Sequence, residues 1–479
     1  MRRVAHALLM LALISCGDDA TLDVDARAED PDVTDVGPRD ARDASGPPAP
    51  WRHEPIITIQ STEPCEDWAA VEPMPRGLPG DATPRLLWRY RPSEDPLYSG
   101  AAASNYSGVS EPVVSPDGTI WVRGPRAAHV TQLSRDGHMR RWFRAGGANE
   151  DDPQILSRLG PLLPLPDGRV VGAIYTEDGP RGGLSIMNPN RRFLPAENAE
   201  AGAILSGLNY YTILAVGPQG MVYATAGNKL YATCQGERLM WTLTNEGIDP
   251  GIGDGRFFYL RVDADGRVVV SGGAQRSYRI NPQLLSIDAF EPPGVEDGEA
   301  NVLLAQTPSL SVFNTYDRSL ETILLVTSDG HYRLGGEAGA QLSPVGPVHF
   351  WNGQLVALDP PYSGEPRPIP MHAQFTLGRS RWFDTGEWVN LNNGVTRYSE
   401  QGEEVWNVPV AAEGEDAGLG GEIRVSVMDQ TGVVFAALQV GLAAIELAAI
   451  QTDGLPPPMS VCVENGCNAH RDRWVRPAE

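Results

Sequence analysis

The chain has 479 residues and a formal net charge of −23 at pH 7, and 41% of its residues are hydrophobic. That hydrophobic content is enough for a large core and excludes a globally disordered chain. The negative charge argues against nucleic-acid backbones or anionic lipid as partners, because like charges repel.

The N-terminus has the pattern of an export signal. Two arginines precede an apolar stretch, residues 4–14, that is too short to span a bilayer. The sequence Leu-Ile-Ser-Cys-Gly at 13–17 resembles the lipobox of bacterial lipoproteins. This resemblance implies a signal peptide over 1–15, cleavage between Ser15 and Cys16, and a lipid on the Cys16 thiol. The alternative is an ordinary secretion signal with an incidental cysteine.

Residues 16–50 form an acidic region after the lipobox. Nine Asp and one Glu stand against three Arg in this region, with no aromatic residue. Such a segment buries too little apolar surface to fold, and self-repulsion extends it, so we predict a disordered tether. Its irregular Asp spacing lacks the EF-hand pattern of a calcium site. Residues 51–83 are predicted to form an irregular strap between the tether and the repeats.

From residue 84 onward, a unit of strand, Gly-centred turn and strand recurs about every 45 residues, which is typical of a propeller or similar array. Frequent Gly and Pro between apolar runs also indicate an all-β chain. Asp-Gly and Asn-Gly suit hairpins because these residues tolerate positive φ. Eight such turns are predicted over residues 84–455, at Gly118, Gly168, Gly220, Gly266, 308–310, 352–353, 385–386 and 431–432.

The second half of each unit is a strand, a polar turn and a Trp. It is clearest at residues 230–241 and recurs at 130–142 and 395–406. These stretches resemble the L-Y-A-L-D-x-x-x-G-x-x-x-W repeat of PQQ-type, or quinoprotein-type, β-propellers, in which the Trp docks between neighbouring blades. The resemblance covers most of 84–455 and implies that role for Trp88, Trp142, Trp241 and Trp406.

The predicted fold class is therefore all-β, a β-propeller of PQQ-like repeats with eight blades, or alternatively seven. The strand at 86–90 has the pattern of the last strand of a repeat, and the final unit lacks a Trp of its own. We therefore expect the N-terminal strand to close the last blade, which hides sheet edges. A β-sandwich or two separate sheet domains is the alternative.

Four cysteines remain once Cys16 carries a lipid. In an exported chain they predict two disulfides, with three possible connectivities. We favour Cys462 with Cys467 and Cys65 with Cys234, which requires the strap to lie across the ring. Alternatively, Cys65 bonds the C-terminal tail, residues 456–479, and Cys234 is left unpaired.

The sequence carries no catalytic motif that we recognise. It lacks Gly-x-Ser-x-Gly, His-Glu-x-x-His and a P-loop. It also lacks the adjacent Cys pair and the haem motif of PQQ dehydrogenases. The eight His are scattered, and the Asp pair at 263–265 is predicted to belong to a hairpin turn. We predict no catalytic residue, no metal site and no cofactor.

These features favour a non-catalytic, lipid-anchored scaffold that presents one face of a ring to envelope proteins or peptides. A lipobox followed by a PQQ-type ring is similar to the propeller lipoprotein of the outer-membrane barrel-assembly machinery. The alternative is an extracytoplasmic carbohydrate-binding protein or an enzyme that uses the central channel. We expect a monomeric ring at the cell envelope, on the outer rather than the inner membrane, held there by its N-terminal lipid and without nucleic-acid partners.

Overall fold

The computed structural model describes much of the unit that spans residues 53–479. The described residues are 55–453, except for gaps at 70, 72–81, 92–111, 124–128, 145–156, 177–181, 189–195, 199, 209–211, 246–256, 264, 273–275, 291–299, 307–309, 318–319, 328–329, 336–339, 344–345, 352–353, 358–366, 369–379, 383–387, 392–393, 400–402, 411–421, 430 and 441–443.

The described strands form eight sheets, which we number in chain order. Two N-terminal strands, β1 (Ile56–Ile59) and β2 (Arg85–Tyr90), do not set this order, because each joins a sheet formed by later strands. Sheet 1 contains β3 (Val113–Val114), β4 (Ile120–Arg123), β5 (His129–Leu133) and β6 (Met139–Arg144). Sheet 2 contains β7 (Ser157–Pro164), β8 (Val170–Thr176), β9 (Gly182–Met187) and β11 (Glu200–Ile204), whereas β10 (Ala196–Asn198) joins sheet 1. Sheet 3 contains β12 (Leu214–Val216), β13 (Met221–Ala226), β14 (Lys229–Cys234), β15 (Arg238–Thr244) and β1. Sheet 4 contains β16 (Phe257–Val262), β17 (Val268–Gly272), β18 (Arg276–Asn281) and β19 (Ser286–Phe290).

The second half of the chain repeats this four-stranded arrangement. Sheet 5 contains β20 (Ala300–Gln306), β21 (Leu310–Asp317), β22 (Leu320–Thr327) and β23 (Gly330–Gly335). Sheet 6 contains β24 (Ala340–Ser343), β25 (Gly346–Trp351), β26 (Gln354–Ala357) and β27 (Arg367–Pro368). Sheet 7 contains β28 (Ser380–Trp382), β29 (Trp388–Leu391), β30 (Gly394–Tyr398) and β31 (Glu404–Pro409). Sheet 8 contains β32 (Glu422–Met428), β33 (Val433–Val440), β34 (Ala444–Gln451) and β2.

The all-β prediction is confirmed, since the described part of the chain contains strands and turns but no helix. Nearly all pairings are antiparallel, and the pairing of β10 with β6 is parallel. Two strands that the sequence did not predict add a fifth member to a sheet: β1 pairs with β15 at the outer edge of sheet 3, and β10 pairs with β6. The segment predicted as an irregular strap therefore begins with a strand.

Sheets 1, 2, 3, 4 and 8 each pack on a neighbour through both faces, which explains why many of their strands are apolar at almost every position. In β13, Val222 and Ala224 contribute to the cluster shared with sheet 2, whereas Met221 and Tyr223 contribute to the cluster shared with sheet 4. Successive side chains of a strand point to opposite faces, so a strand covered on both sides loses its alternation of apolar and polar residues. All six residues of β13 are buried.

For six of the seven consecutive pairs of sheets, the described residues show packing in the order of the chain. Shared clusters of buried side chains join sheets 1 and 2, 2 and 3, 3 and 4, 4 and 5, and 7 and 8. Between sheets 5 and 6, β20 contacts β24. A further cluster joins sheet 8 to sheet 1, the two sheets that lie furthest apart in sequence.

The contact between sheets 8 and 1 depends on β2. This strand pairs with β34 in the sheet formed by the last strands of the chain, which is the pairing the sequence predicts. Trp88 and Tyr90 of β2 pack with Phe435 of sheet 8 and Ile120 of sheet 1 in the same cluster. The N-terminal strand thus completes sheet 8 and also contributes to the core between the last sheet and the first.

One turn assignment from the sequence was wrong. Residues 352–353, predicted to join the first two strands of a unit, instead lie between β25 and β26, the second and third strands of sheet 6. The first two strands of that sheet are joined by residues 344–345, which carry no Asp-Gly or Asn-Gly signal. An Asn-Gly pair favours a hairpin but does not say which hairpin of a repeat it forms.

Candidate functional site

Contacts between turns show that sheets 8, 1, 2, 3 and 4 present their tight turns on a common face. Ser115 Oγ in the first turn of sheet 1 donates to Gly168 O in the first turn of sheet 2, at 3.4 Å. Gly266 in sheet 4 lies so close to Pro218 in sheet 3 that an added Cβ would stand 3.0 Å from the proline ring. We call this surface the tight-turn face; it comprises the described residues of 115–119, 134–138, 165–169, 217–220, 235–237, 263–267 and 429–432.

Aspartates stabilise these turns in a way that the sequence analysis did not foresee. Gly118 has a φ of 82°, but Asp117 is not among the residues with positive φ. Asp117 Oδ1 instead accepts a hydrogen bond from the backbone N of Thr119 at 3.0 Å, and Asp167 Oδ1 accepts one from Arg169 at 3.1 Å. The Asp is therefore favoured as a hydrogen-bond acceptor, while the left-handed conformation is left to the glycine.

Ion pairs connect neighbouring sheets across the tight-turn face. Arg135 Nη2 in sheet 1 lies 3.0 Å from Asp429 Oδ2 in sheet 8, and the Asp429 side chain is only 2% exposed. Its other oxygen accepts hydrogen bonds from the backbone N atoms of Thr431 and Val433, each at 2.9 Å. The carboxylate thus joins a turn of the last sheet to a turn of the first.

A second ion pair joins sheets 2 and 3. The guanidinium of Arg169 donates to Asp167 at 2.7 Å, to Glu237 at 2.9 Å and to Gln235 at 2.7 Å. Burial disfavours the charged form, but the hydrogen bonds and the attraction of Asp167 and Glu237 outweigh burial and raise the pKa of Arg169. The arginine remains charged, which fits a structural role.

The strap is fixed to sheet 3 by a covalent bond. Cys65 and Cys234 form a disulfide with a Cα–Cα distance of 5.4 Å, which is the pairing favoured from the sequence. Before it, the backbone N of Gln60 donates to Met240 O at 2.8 Å, and Glu63 pairs with Arg238. Cys462 and Cys467, the other predicted pair, lie outside the described residues.

The turn below the disulfide is shaped to receive the strap. Gly220 has a φ of 69°, and an added Cβ would stand 2.1 Å from Glu66 O and 2.8 Å from Cys65 Sγ. Trp68 Nε1 then donates to Gly217 O at 3.0 Å, and Val71 reaches Gly168 in sheet 2. The strap therefore crosses the tight-turn face from sheet 3 to sheet 2.

The predicted docking tryptophans lie in the fourth strands of their sheets. Trp88 donates through Nε1 to Arg135 O in sheet 1 at 2.7 Å, and Trp406 donates to Asp453 Oδ2 at 3.0 Å. Trp241 is buried between sheets 3 and 4, where its ring centroid lies 5.9 Å from that of Tyr223. Trp142 belongs to β6, and its side chain is outside the described part of the chain.

Sequence reasoning missed several of these contact residues. Trp68 lies in the strap and matches no repeat, while Arg135, Asp429 and Asp453 are ordinary turn residues by sequence. Trp68 and its partner Gly217 are 149 residues apart in sequence, and Arg135 and its partner Thr431 are 296 residues apart. Only the packing of one sheet on the next brings them together.

The ends of the strands opposite the tight turns lead into the segments that join one sheet to the next. Because neighbouring strands alternate in direction, the first strand of each sheet begins, and its fourth strand ends, at that side. We call these segments the inter-sheet connections: residues 91–112, 145–156, 205–213, 245–256, 291–299, 336–339, 369–379 and 410–421. Five of them contain three or four acidic residues each: 91–112, 145–156, 245–256, 291–299 and 410–421.

The described residues do not bring metal-binding side chains together. Within them, no group of three or more His, Cys, Asp or Glu side chains is arranged to hold a metal ion. No helix in the described ranges is long and apolar enough to cross a bilayer. Ser15, Cys16, the tether and the C-terminal tail all lie outside the described residues.

No protein-family model matches the sequence, and no curated protein is similar to it. Among solved structures, the chain is similar to virginiamycin B lyase from Staphylococcus aureus, with 10% identity, coverage of 72% of this chain and 95% of that one, and a TM-score of 0.40. U3-55K shows 12% identity, coverage of 73% and 99%, and a TM-score of 0.39. Raptor from Chaetomium thermophilum shows 10% identity, coverage of 74% and 29%, and a TM-score of 0.39.

Proposed function

We propose that this protein is a lipid-anchored, extracytoplasmic β-propeller of eight PQQ-like blades that acts as a non-catalytic, protein-binding scaffold at the cell envelope. The observation that carries the proposal is the packing of sheet 8 on sheet 1 through β2 and Trp88. Six consecutive pairs of sheets that pack in chain order, together with the last sheet against the first, support a closed ring in which each of the eight sheets is a blade.

Anchoring is proposed from the lipobox at 13–17 and the acidic tether that follows it. Two or three acyl chains hold a protein stably on a membrane, whereas one gives only marginal binding. A flexible tether keeps the ring close to the membrane and raises its effective concentration for other envelope proteins. We place the anchor on the outer membrane, with the ring as a monomer.

The partner is proposed to bind at the inter-sheet connections. The tight-turn face is partly covered by the strap, whereas the connections are longer than most tight turns and rich in Asp and Glu. Loops held by a rigid framework are the usual place for binding residues. A partner with a basic surface fits this composition, and its association is expected to weaken as salt rises.

Lipid anchoring is tested by growing cells with an alkyne-bearing fatty acid and comparing the wild-type chain with Cys16→Ser. We expect label on the wild-type chain only, and recovery of that chain with outer-membrane fractions. Label that persists in Cys16→Ser would place the lipid elsewhere, and absence of label on both would remove the anchor from the proposal.

Scaffold function is tested by photo-crosslinking in cells from a residue of the connections. A photoreactive amino acid at Asp416 is expected to capture a protein, whereas the same amino acid at Asp265, exposed on the tight-turn face, is the matched control. Equal capture at both positions would contradict a binding face at the connections. No captured protein, together with binding to a glycan array, would favour the carbohydrate-binding alternative.

A further inference from the structure

The segment that leads into the sheets is attached at two places of different strength. At sheet 3 it is held by β1 and then by the Cys65–Cys234 disulfide. At sheet 8 it is held by β2, through backbone pairing with β34 and side-chain packing. Because Cys65 precedes β2 and Cys234 lies in β14, the disulfide closes a covalent loop that contains β2 and all of sheets 1 and 2.

Without the disulfide, the segment before β2 is held by non-covalent contacts alone: the edge strand β1, an exposed ion pair and the half-buried Trp68, which donates to Gly217 O. β1 is a four-residue edge strand, and its side chains Ile56 and Ile59 are 50% and 52% exposed. The pair of Glu63 with Arg238 is exposed as well, with side-chain values of 73% and 39%, and exposed ion pairs contribute little in water. A load would therefore pass along the strap and reach β2.

Loss of β2 would open the core between sheets 8 and 1. It has only one neighbour in its sheet, so it can be detached without breaking a second ladder. Its departure would remove Trp88 from Arg135 O and Gly137, and Tyr90 from the cluster between sheets 8 and 1. The contact between the last sheet and the first would then be open.

We propose that the Cys65–Cys234 disulfide is a mechanical bypass that keeps tension applied at the N-terminus from reaching β2. With the bond intact, force passes from Cys65 directly to Cys234, and residues 66–233 carry none of it. The load then enters β14, which is paired along its whole length with β13 and β15. This inference rests on the proposed function only for the source of the load, which is the lipid anchor.

Optical tweezers test the bypass on the mature chain that carries Cys16→Ser and therefore no lipid. One handle is attached at the N-terminus, at position 16, and the other to a click-reactive residue in place of Leu284. Leu284 is 75% exposed in the turn that follows β18. In the oxidised chain, the force path omits β2. After reduction by TCEP, residues 66–84 are pulled straight first. Detachment of β2 then frees residues 85–112, up to β3, and adds roughly 100 Å of contour length at about 3.6 Å per residue.

We expect this step of roughly 100 Å at low force in the reduced chain and in the Cys65→Ser/Cys234→Ser chain, but not in the oxidised chain. Adding Trp88→Ala to the double-serine chain should lower the force of the step, which identifies it as the detachment of β2. The same molecule before and after TCEP serves as a control if the double-serine chain folds poorly.

The proposal is wrong if the oxidised chain shows the same step, if the reduced chain lacks it, or if Trp88→Ala does not change its force. These outcomes are independent of the anchor. Absence of lipid on Cys16 would leave the bypass intact and remove only its load.

Discussion

The N-terminal segment joins the sheets at two sites that achieve attachment by different means. At sheet 3, the contact surface is small and partly exposed, and a covalent bond supplies what packing does not. At sheet 8, no described covalent bond is present, and β2 is held by its ladder and by Trp88 and Tyr90 in a shared core. The comparison shows that burial secures a strand where it completes a core between sheets, whereas a segment on the surface depends on a cross-link.

The largest effect is expected from removing the cross-link. The chain with Cys65→Ser and Cys234→Ser should lose about 4 kcal/mol of unfolding free energy, because a disulfide that closes a loop this long restricts the unfolded chain strongly. Chemical denaturation with and without reductant measures it. Reductant should destabilise the wild-type chain more than the double-serine chain, which keeps Cys462 and Cys467; a reductant effect of equal size on both would place the stabilisation elsewhere.

Truncation of the main packing residue of β2 should come next. Trp88→Ala is expected to cost about 3 kcal/mol, because it removes a large ring from the core between sheets 8 and 1 together with the indole hydrogen bond to Arg135 O. Leu87→Ala in the same strand is the control, since Leu87 is 36% exposed and should cost well under about 1 kcal/mol. Equal losses for the two variants would mean that β2 is not held by that core.

Adding a methyl group at Gly220 tests how closely the strap packs on sheet 3. Gly220→Ala should cost about 2 to 3 kcal/mol, because the residue has positive φ and its Cβ would collide with Glu66 O and Cys65 Sγ. Gly227→Ala is the matched control, with a φ of 57° and nothing within 4 Å of the added Cβ, and should cost only about 1 kcal/mol. Thermal unfolding of both variants separates collision from backbone strain, and similar losses would show that the strap does not bear on Gly220.

The smallest effect concerns a buried hydroxyl away from both attachments. Tyr223 is fully buried between sheets 3 and 4, its OH has no hydrogen-bond partner among the described residues, and burial raises its pKa well above the usual value. The raised pKa makes a contribution to the unfolding free energy that is fully present below about pH 10, the ordinary pKa of Tyr. This contribution is lost as pH rises further, because the unfolded chain releases the proton first. Tyr223→Phe should leave stability at pH 7 within about 1 kcal/mol of the wild type and reduce the loss above pH 10. If Tyr223→Phe loses as much stability above pH 10 as the wild type does, groups other than Tyr223 cause the alkaline destabilisation.

The sequence predicted the parts of the fold that local patterns determine. Apolar runs separated by Gly-centred turns predicted the all-β class, and the position of residues 86–90 predicted a strand that pairs within the last unit. The connection at residues 344–345 was missed because it carries no Asp-Gly or Asn-Gly pair, and β1 was missed because four residues of Ile and Thr in a Pro-rich segment give little periodicity. Local sequence also gave the wrong reason for the aspartates, since their role as acceptors depends on the turn that forms.

Contacts between sheets were harder to predict. From the sequence, the pairing of Cys65 with Cys234 could be favoured among three connectivities but not established. The packing of the strap against Gly220 is what brings the two cysteines together. Arg135 and Asp429 are almost 300 residues apart, and nothing in either turn indicates that they meet. A single sequence reports propensity and pattern, whereas these contacts arise from the order in which sheets pack.

The central claim is that a strand from the N-terminal segment completes the last sheet, and an engineered cross-link tests it most directly. Arg85 in β2 lies opposite Gln451 in β34, both away from the core, and directly opposed residues in antiparallel strands are close enough for a disulfide. We predict that Arg85→Cys with Gln451→Cys forms a bond under mild oxidation, identified by peptide mapping, whereas Arg85→Cys with Gln283→Cys, an exposed position in sheet 4, does not. Failure of the first pair to cross-link in the folded chain, or equal cross-linking of the second, would contradict the closure of the last sheet by β2.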